Sequence, residues 1–238
     1  MRGAWLVLPT YNEAENIEAI VRAALPELES TGLAHRVLVV DDGSPDGTGD
    51  IADRLAAELE PVEVLHRARK EGIGPAYLAG FSHALGVGAD LLLEMDSDFS
   101  HDPKDLPRLV AAAADADLVL GSRYVDGGGV TDWGIMRQLI SRGGSLYARK
   151  VLGVPVMDLT GGFKCFRREV IEALDLSSVG TDGYGFQIEM TYRSIRAGFR
   201  VREVPILFRD RRVGASKMSA RIAVEAFWKV PGLRFRVR

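Results

Sequence analysis

The chain has 238 residues, of which 47% are hydrophobic and 26% are charged, a composition typical of a globular protein with a substantial core. This length fits one α/β domain or two small ones. No stretch approaches the ~20 consecutive apolar residues of a membrane-spanning helix, and the single cysteine, Cys165, excludes both an intrachain disulfide and a multi-cysteine metal site.

Predicted strands and helices alternate through the first 121 residues. Nearly continuous apolar runs predict buried strands at residues 4–9, 36–42, 62–66, 91–96 and 117–121. Apolar residues at helical spacing predict helices between them, at residues 12–25, 49–58, 76–85 and 106–114. This alternation predicts a doubly wound, mostly parallel sheet with helices on both faces, in which ligands bind beyond the carboxyl ends of the strands.

The pattern changes after residue 121, where a glycine-rich loop at 122–134 precedes a basic helix over 135–152. The remaining predicted elements are a strand at 158–166 followed by a short helix, a helix at 186–198, a strand at 201–208 and a basic amphipathic helix near 218–229. Residues 209–238 contain nine basic and two acidic residues. This excess of positive charge favours contact with an anionic surface, and packing of the tail on the body is the alternative.

Two carboxylates, Asp96 and Asp98, follow the apolar run Leu91–Leu93 with Ser97 between them. As residues i and i+2 of a strand, they are expected to point to the same side. A bound divalent cation relieves their mutual repulsion, and Mg²⁺ or Mn²⁺ typically takes one or two carboxylates while substrate phosphates complete its shell. The pair therefore predicts a cation site for a phosphorylated substrate, with an ordinary polar strand end as the alternative.

Competing motifs do not fit the sequence. A calcium loop that starts at Asp96 would need Gly and Glu where His101 and Pro107 stand. A dinucleotide site would need G-x-G-x-x-G after the first strand, which instead ends in PTYNE, and no P-loop occurs. The four histidines show no metal-ligand spacing and are expected to be structural: His35, His66, His83 and His101.

The first two strands also end in acidic and aromatic residues, in the stretches PTYNE and VVDDGS. Because the carboxyl ends of parallel strands meet at one edge, these groups are expected to line the same crevice as the D-x-D pair. Carboxylates suit ribose hydroxyls and a base edge, and an aromatic ring suits stacking.

Six stretches, in their order and spacing, resemble glycosyltransferase family 2, and within it the polyprenol-phosphate (dolichol-phosphate) mannose synthases. They are LPTYNEAENI, VLVVDDGSPDGT, RKEGIGPAYLAGF, MDSDFSHDP, LVLGSRYV and DLTGGFKCFRREV. The resemblance runs from about Leu6 to Lys217. It implies a GT-A fold and transfer of mannose from GDP-mannose to a polyprenyl monophosphate, with Mg²⁺ or Mn²⁺ as cofactor and no nucleic acid as partner.

The resemblance also implies roles for individual residues. The guanosine end of the donor would contact Pro9, Tyr11, Glu13, Val40 and Asp42. The metal and diphosphate would be held by Asp96, Ser97 and Asp98, with Ser100 beside the metal, where relatives often carry Gln. Phosphates would be reached by Arg123, Arg211 and Lys217, and the acceptor phosphate would meet Arg137 and Ser141. Asp98, Arg123, Arg137 and Ser141 are the residues expected to carry catalysis.

The expected organisation is a catalytic GT-A domain at residues 1–217 and a basic amphipathic membrane-interface helix and tail at 218–238. Some family members have a C-terminal membrane segment that this sequence lacks, which leaves the mode of attachment open. A polyprenyl acceptor lies in a bilayer, so the protein is expected on the cytoplasmic face of the membrane, bound peripherally or with an integral membrane partner.

The expected chemistry needs no general base, because a phosphate monoester has a second pKa of about 6 and is already ionised at neutral pH. The site must instead position two phosphorylated reactants and compensate their charge, which favours Arg over a catalytic Asp. In-line displacement with inversion is predicted. The sequence leaves open the same chemistry with another nucleotide sugar, such as UDP-glucose, and a non-catalytic nucleotide-sugar binding module.

Overall fold

The computed structural model describes residues 3–181, 183–210 and 229–237. Its strands are β1 Ala4–Thr10, β2 His35–Asp41, β3 Val62–His66, β4 Leu91–Glu94, β5 Leu118–Ser122, β6 Gly129–Val130, β7 Lys164–Arg167, β8 Val201–Pro205 and β9 Leu207–Phe208. Its α-helices are α1 Ile17–Glu29, α2 Thr48–Glu58, α3 Ile73–Gly86, α4 Leu106–Ala112, α5 Ile135–Leu152, α6 Arg168–Ala173 and α7 Tyr184–Arg196. Residues 229–236 are also helical.

Seven of these strands form one mixed sheet in the order β3-β2-β1-β4-β7-β5-β8. All neighbouring pairs are parallel except those of β7, which runs antiparallel to both β4 and β5. Strands β6 and β9 pair separately. The predicted doubly wound, mostly parallel sheet is confirmed.

Several predicted elements differ from the structure; the helix predicted at 12–25, for example, spans Ile17–Glu29. The strand predicted at 158–166 begins only at Lys164, and the strand predicted at 201–208 divides into β8 and β9 after Pro205. The glycine-rich loop contains the short strand β6. Because β7 is antiparallel, its amino end lies at the edge where the parallel strands have their carboxyl ends. The residues before β7 therefore reach the edge at which ligands are expected.

Both faces of the sheet are buried. Along β1, Trp5 and Val7 belong to the core cluster that includes residues of α3, α5 and α7, whereas Leu6 and Leu8 belong to the cluster that includes residues of α1, α2 and α4. Side chains of a strand alternate between faces, so covering both faces requires the nearly continuous apolar runs seen in the sequence.

The C-terminal helix packs on the body where it is described. Val230, Leu233 and Val237 are buried in the same core cluster as α5, whereas Phe235 is 81% exposed. The interface helix predicted near 218–229 lies almost entirely outside the described residues, and at Val230 packing on the body is what the structure shows. None of the described helices combines the length and hydropathy needed to cross a bilayer.

Candidate active site at the carboxyl edge of the sheet

A cleft of about 100 Å³ opens at the carboxyl edge of β4 and β5. It brings the D-x-D acids together with two of the predicted arginines, Arg123 and Arg137. Its lining residues are Asp96, Asp98, Ser100, His101, Arg123, Trp133, Arg137, Thr160, Gly161, Gly162, Tyr184, Phe208 and Asp210. Thr160, Gly161 and Gly162 enter because they precede the antiparallel strand β7.

The D-x-D acids lie in a turn rather than in a strand. Strand β4 ends at Glu94, and Phe99 has a positive φ of 62°, so strand alternation is not the reason that Asp96 and Asp98 share the cleft. The Ser97 hydroxyl donates to the Pro9 carbonyl at 3.3 Å, and the Ser100 amide donates to Asp98 Oδ1 at 3.0 Å. The turn is thus fastened to the end of β1 and to itself.

The oxygen atoms of this turn suit a hard divalent cation. Asp96 is partly exposed and Asp98 and Ser100 are buried, and all three line the cleft. The buried Ser100 hydroxyl has no hydrogen-bond partner among the described residues, which leaves its oxygen available to a cation or its water. Within the part of the chain that the structure describes, no group of three or more His, Cys, Asp or Glu side chains is arranged to hold a metal ion. The protein would therefore supply few ligands, as Mg²⁺ sites that rely on substrate phosphates do.

His101 holds the D-x-D turn in place through a hydrogen bond to its main chain, a role that the sequence did not reveal. Its ring is buried and accepts a hydrogen bond at Nδ1 from the Asp96 amide, at 3.3 Å. Burial lowers the pKa of His101 to about 4, so the ring is neutral at physiological pH. Phe163 and Phe208 contact it, with ring centroids 5.0 and 5.2 Å away. The expectation of a structural histidine is correct, although its position beside the acids was not foreseen.

Arg123 is held in a buried ion pair that sequence reasoning missed. Its Nε and Nη2 donate to the two carboxylate oxygens of Asp158, each at 2.7 Å, and Nη2 also donates to the Thr160 hydroxyl at 2.7 Å. Asp158 is fully buried. Burial by itself lowers the pKa of the Arg123 guanidinium, but the carboxylate of Asp158 outweighs burial and raises that pKa. The Asp158 of DLTGGF was assigned no role from the sequence because its partner lies 35 residues away.

Arg137 and Ser141 lie on one face of α5, as their spacing predicted, and both line a second pocket beside the cleft. Arg137 pairs with Asp210 at 2.8 Å and lies over the Trp133 ring, 4.2 Å from its centroid. The Ser141 hydroxyl accepts a hydrogen bond from the Tyr124 hydroxyl at 2.6 Å. The hydroxyl proton of Ser141 is therefore available to donate a second hydrogen bond.

The second pocket measures about 530 Å³ and is mostly apolar. It shares Trp133, Arg137, Thr160 and Tyr184 with the cleft. Its other lining residues are Ile140, Ser141, Gly143, Gly144, Tyr147, Ala148, Ile188 and Val230. An oxygen-lined, charged cleft therefore adjoins an apolar cavity, with two polar residues of α5 at the cavity wall.

The predicted guanosine contacts lie at the neighbouring strand ends and do not line the cleft. Lys70 Nζ lies 4.2 Å from the centre of the Tyr11 ring, and Glu13 accepts a hydrogen bond from the Asn16 side chain. Asp42 is buried and paired with Arg67 at 2.6 Å; burial raises the pKa of Asp42, and Arg67 opposes that shift.

The predicted contact between Val40 and the nucleotide is open only to its main chain. Val40 is fully buried in the core, where it packs near Gly80 of α3. Both faces of the sheet are covered at β2, so the side chains of its central residues are all buried and only its main chain can face the edge. Two other predicted phosphate contacts, Arg211 and Lys217, lie outside the described residues.

Two buried groups of opposite charge lie directly under the D-x-D turn. Glu94 and Lys164 are register partners across β4 and β7, and both are fully buried. Lys164 Nζ donates to the Gln187 carbonyl at 2.8 Å, in the first turn of α7. Burial raises the pKa of Glu94 to about 7 and lowers the pKa of Lys164 to about 8. Burying both charged groups is costly, and the hydrogen bond from Lys164 to Gln187 connects β7 to the helix that starts at Tyr184.

Comparisons with known proteins agree on one family. The model of Glycosyl transferase family 2 matches residues 5–175. An undecaprenyl-phosphate mannosyltransferase of Micrococcus luteus is 49% identical over 223 residues, which cover 92% of this chain and 89% of the relative. A polyprenol monophosphomannose synthase of Mycolicibacterium smegmatis is 48% identical over 239 residues, which cover 98% and 88%.

Solved structures share the fold at lower identity. Glucosyl-3-phosphoglycerate synthase from Mycobacterium tuberculosis, in complex with Mn²⁺, UDP-glucose and phosphoglyceric acid, is 20% identical with a TM-score of 0.72, over 97% of this chain and 80% of that one. A mannosyltransferase from Pyrobaculum calidifontis, in complex with GDP-Man and Mn²⁺, is 21% identical with a TM-score of 0.61, over 91% of this chain and 59% of that one. At these identities the likeness establishes the fold.

Proposed function

The chain belongs to glycosyltransferase family 2, and on that premise we propose that it transfers mannose from GDP-mannose to a polyprenyl monophosphate, with inversion at the anomeric carbon. The observation that carries this proposal is the junction of the charged cleft with the apolar pocket. A lipid phosphate has the same two-part character, an anionic head and an apolar chain. The two relatives that are 49% and 48% identical to this chain are a mannosyltransferase and a monophosphomannose synthase, and their names specify undecaprenyl phosphate and polyprenol.

The acceptor phosphate is assigned to the boundary of the two cavities. Arg137 lines both cavities and can donate two N–H groups to one phosphate, whereas Ser141 lines the pocket alone and can donate one hydroxyl. The phosphate is ionised at neutral pH, since its second pKa is about 6. The residues therefore need to orient the nucleophile and offset its charge rather than remove a proton.

The donor diphosphate is assigned to the D-x-D turn. Asp96 and Asp98, with Ser100 beside them, would hold Mg²⁺ or Mn²⁺, and the bound ion would offset charge on the departing nucleotide as a Lewis acid. The chain positions these oxygens through the Ser97–Pro9 and Ser100–Asp98 hydrogen bonds and the buried His101. Pro9, Tyr11, Glu13 and Asp42 remain the proposed contacts of the guanosine end, together with the main chain at Val40.

Peripheral binding to the cytoplasmic face of a membrane is part of the proposal, and α5 supports it. Four of its apolar side chains are 60–77% exposed: Ile135, Met136, Leu139 and Ile140. No acidic residue occurs between Trp133 and Met157, whereas α5 carries four basic residues. Exposed apolar groups beside basic ones suit an anionic bilayer interface. Residues 1–217 form the proposed catalytic domain, and α5 joins the 218–238 tail as the membrane contact.

The transfer itself is tested with purified protein, undecaprenyl phosphate in detergent, Mn²⁺ and a panel of nucleotide sugars. Formation of a β-linked mannosyl phosphate from GDP-mannose, identified by NMR, is expected. Product from UDP-glucose instead would replace the donor assignment, and an α-linked product would refute inversion. In a thermal-shift panel, GDP with Mn²⁺ should stabilise the protein more than UDP does. Nucleotide binding without product from any donor would indicate a binding module.

The membrane assignment is tested by co-sedimentation with vesicles that contain anionic lipid. Changing Ile135, Met136 and Leu139 to Ser should reduce the bound fraction several-fold, because less apolar surface enters the interface. A matched control changes two exposed apolar residues near the opposite edge of the sheet, Leu33 and Val87, to Ser. Equal losses in both variants, or no loss in either, would remove α5 from the membrane contact.

A further inference from the structure

We propose that Asp158, fixed by Glu203, is a positioning residue that presents Arg123 to the reacting phosphates. The inference rests on the proposed function and deepens it. Arg123 lines the cleft beside the D-x-D acids, but its charge is already matched by Asp158. Arg123 therefore acts as an oriented hydrogen-bond donor within a pair of zero net charge. The orientation of its guanidinium depends on Asp158.

The contacts of Arg123 leave one nitrogen for substrate. Nε and Nη2 are committed to Asp158 and Thr160 at 2.7 Å. Nη1 makes no hydrogen bond within the described residues. The Arg123 amide also donates to Asp158 Oδ2 at 3.0 Å, so one carboxylate fixes both the main chain and the side chain. Because these hydrogen bonds already restrict the rotamers of Arg123, little side-chain entropy remains to be lost when the substrate binds.

Aromatic rings complete the enclosure of the guanidinium. Arg123 Cζ lies 5.1 Å from the ring centre of Tyr124, 5.8 Å from that of Trp133 and 5.4 Å from that of Phe208. Such rings attract a cation and exclude water. In this setting a hydrogen bond to phosphate is stronger than in bulk solvent, and misplacement of the donor is correspondingly costly.

Glu203 fixes Asp158 in turn. One carboxylate oxygen of Glu203 accepts from the Met157 amide at 2.8 Å and the other accepts from the Asp158 amide at 2.9 Å. Glu203 lies on β8 opposite Leu120 of β5, the strand that ends just before Arg123. The loop that carries Asp158 is thereby fastened to the strand pair that carries Arg123.

The same chain of contacts reaches the acceptor helix. Thr160, which accepts from Arg123, lies 3.2 Å from the Ser145 hydroxyl of α5. Thr160 also lines both cavities. Glu203, Asp158, Arg123 and Thr160 therefore link β8 to α5 across the junction at which the two phosphates are proposed to meet. Removing a member should affect the chemical step more than the binding of donor nucleotide.

The experiment compares Asp158→Asn, Arg123→Met and the double variant in the full chain, with kcat and both KM values measured in the mannosyl-transfer assay. Asp158→Asn should lower kcat about 10–100-fold, the usual range for a residue that orients a functional group, and change the KM for GDP-mannose less than threefold. In the Arg123→Met background the same change should lower kcat no further, because Asp158 acts only through Arg123. Additive losses in the double variant, or wild-type kcat in Asp158→Asn, would overturn the proposal.

Two further variants separate positioning from stability. Glu203→Gln keeps one acceptor oxygen and should lower kcat by a smaller factor than Asp158→Asn does; wild-type kcat would contradict the role of Glu203. If Asp158→Asn does not fold, Glu203→Gln alone and in the Arg123→Met background carries the same comparison. Asp117→Asn disturbs another Asp–Arg pair, with Arg200, and should leave kcat unchanged. If the wild type forms no mannosyl lipid, the proposed function is wrong. The ratios of kcat between the variants and the wild type test only the positioning of Arg123.

Discussion

The acidic side of the cleft (Asp96, Asp98 and Ser100) and its basic side (Arg123 and Arg137) are built in different ways. The acidic side is held largely by near neighbours in sequence: Ser100 bonds Asp98 two residues away and His101 bonds Asp96 five residues away, with the Ser97–Pro9 bond as the long-range exception. The basic side is held by distant partners, since Asp158 lies 35 residues from Arg123 and Asp210 lies 73 residues from Arg137. A short motif can specify the first side, whereas the second side exists only in the folded chain.

Exposure separates α5 from the rest of the cleft. Asp98, Ser100 and Arg123 are buried, whereas Arg137 and much of the apolar surface of α5 are open to solvent. The acidic side is therefore preformed before any ligand binds. The exposed helix α5 suits an acceptor that enters from a membrane. Mutations on the acidic side should abolish the reaction, and those on α5 should weaken use of the acceptor.

The largest effect is expected from Asp96→Ala. Without this carboxylate the cation site loses one of its two acids, and transfer should fall by about 10²–10³-fold or more, the range found when one charge-stabilising group is lost. Because Asp96 is partly exposed, the melting temperature without ligand should change little. Initial rates over a Mn²⁺ titration, with thermal denaturation alongside, provide the measurement.

Asp90→Ala serves as the matched control, because Asp90 is exposed and precedes the same strand at its opposite end. Its rate should equal that of the wild type. If Asp96→Ala retained wild-type activity at every Mn²⁺ concentration, the acidic side would have no part in catalysis and the comparison between the two sides would fail.

The acidic side and the strand pattern were predictable from the sequence because both are local. The apolar runs predicted β1 to β5, and the bounds of α5 follow from helical spacing and a basic composition without acidic interruptions. The same spacing correctly put Arg137 and Ser141 on one helix face. The sequence also resembled the family that the comparisons later established.

Tertiary relations account for what the sequence could not predict. A two-residue period does not state the direction of a strand, so the antiparallel β7, and with it Thr160 at the cleft, was not foreseen. The Asp158–Arg123 pair shows no spacing signal. Val40 follows a strand pattern that is correct, but its position near the edge did not reveal that its side chain enters the core.

The second largest effect is expected from Lys164→Met, beneath the acidic side. Removal of Lys164 leaves Glu94 buried without its countercharge, which should lower the free energy of unfolding by about 3 kcal/mol. The double variant Glu94→Gln/Lys164→Met removes both charges and should regain most of that loss. Urea denaturation of the two single variants and the double variant measures the coupling.

A double variant no more stable than Lys164→Met would show that the electrostatic coupling of Glu94 to Lys164 is not what the core requires at this position. Recovery of stability without recovery of Mn²⁺-dependent activity would be informative in another way. It would show that the pair orients the turn above it, because the buried charges would then be needed for the site but not for the fold.

A smaller effect is expected from Arg137→Ala, on the basic side. The acceptor phosphate would lose one charge-assisted contact, so the KM for polyprenyl phosphate should rise about tenfold, which corresponds to roughly 1.4 kcal/mol. The KM for the nucleotide sugar should stay within twofold. Arg149→Ala, later on the same helix and near Met157 rather than the cleft, is the control and should leave both constants unchanged. A matching rise in the KM for the donor would place Arg137 on the nucleotide instead.

The smallest expected effect is the absence of a reaction at Cys165. This residue is fully buried in β7, and burial raises the pKa of its thiol to about 12, so almost no thiolate exists at neutral pH. An excess of a thiol reagent such as Ellman's reagent should leave the native protein unlabelled for hours, whereas protein in urea should react at once. Strand β7 joins the two sides of the cleft, being paired with both β4 and β5. Rapid labelling of native protein would therefore mean that the sheet opens between the two sides, and the acidic side could not then be a rigid, preformed platform.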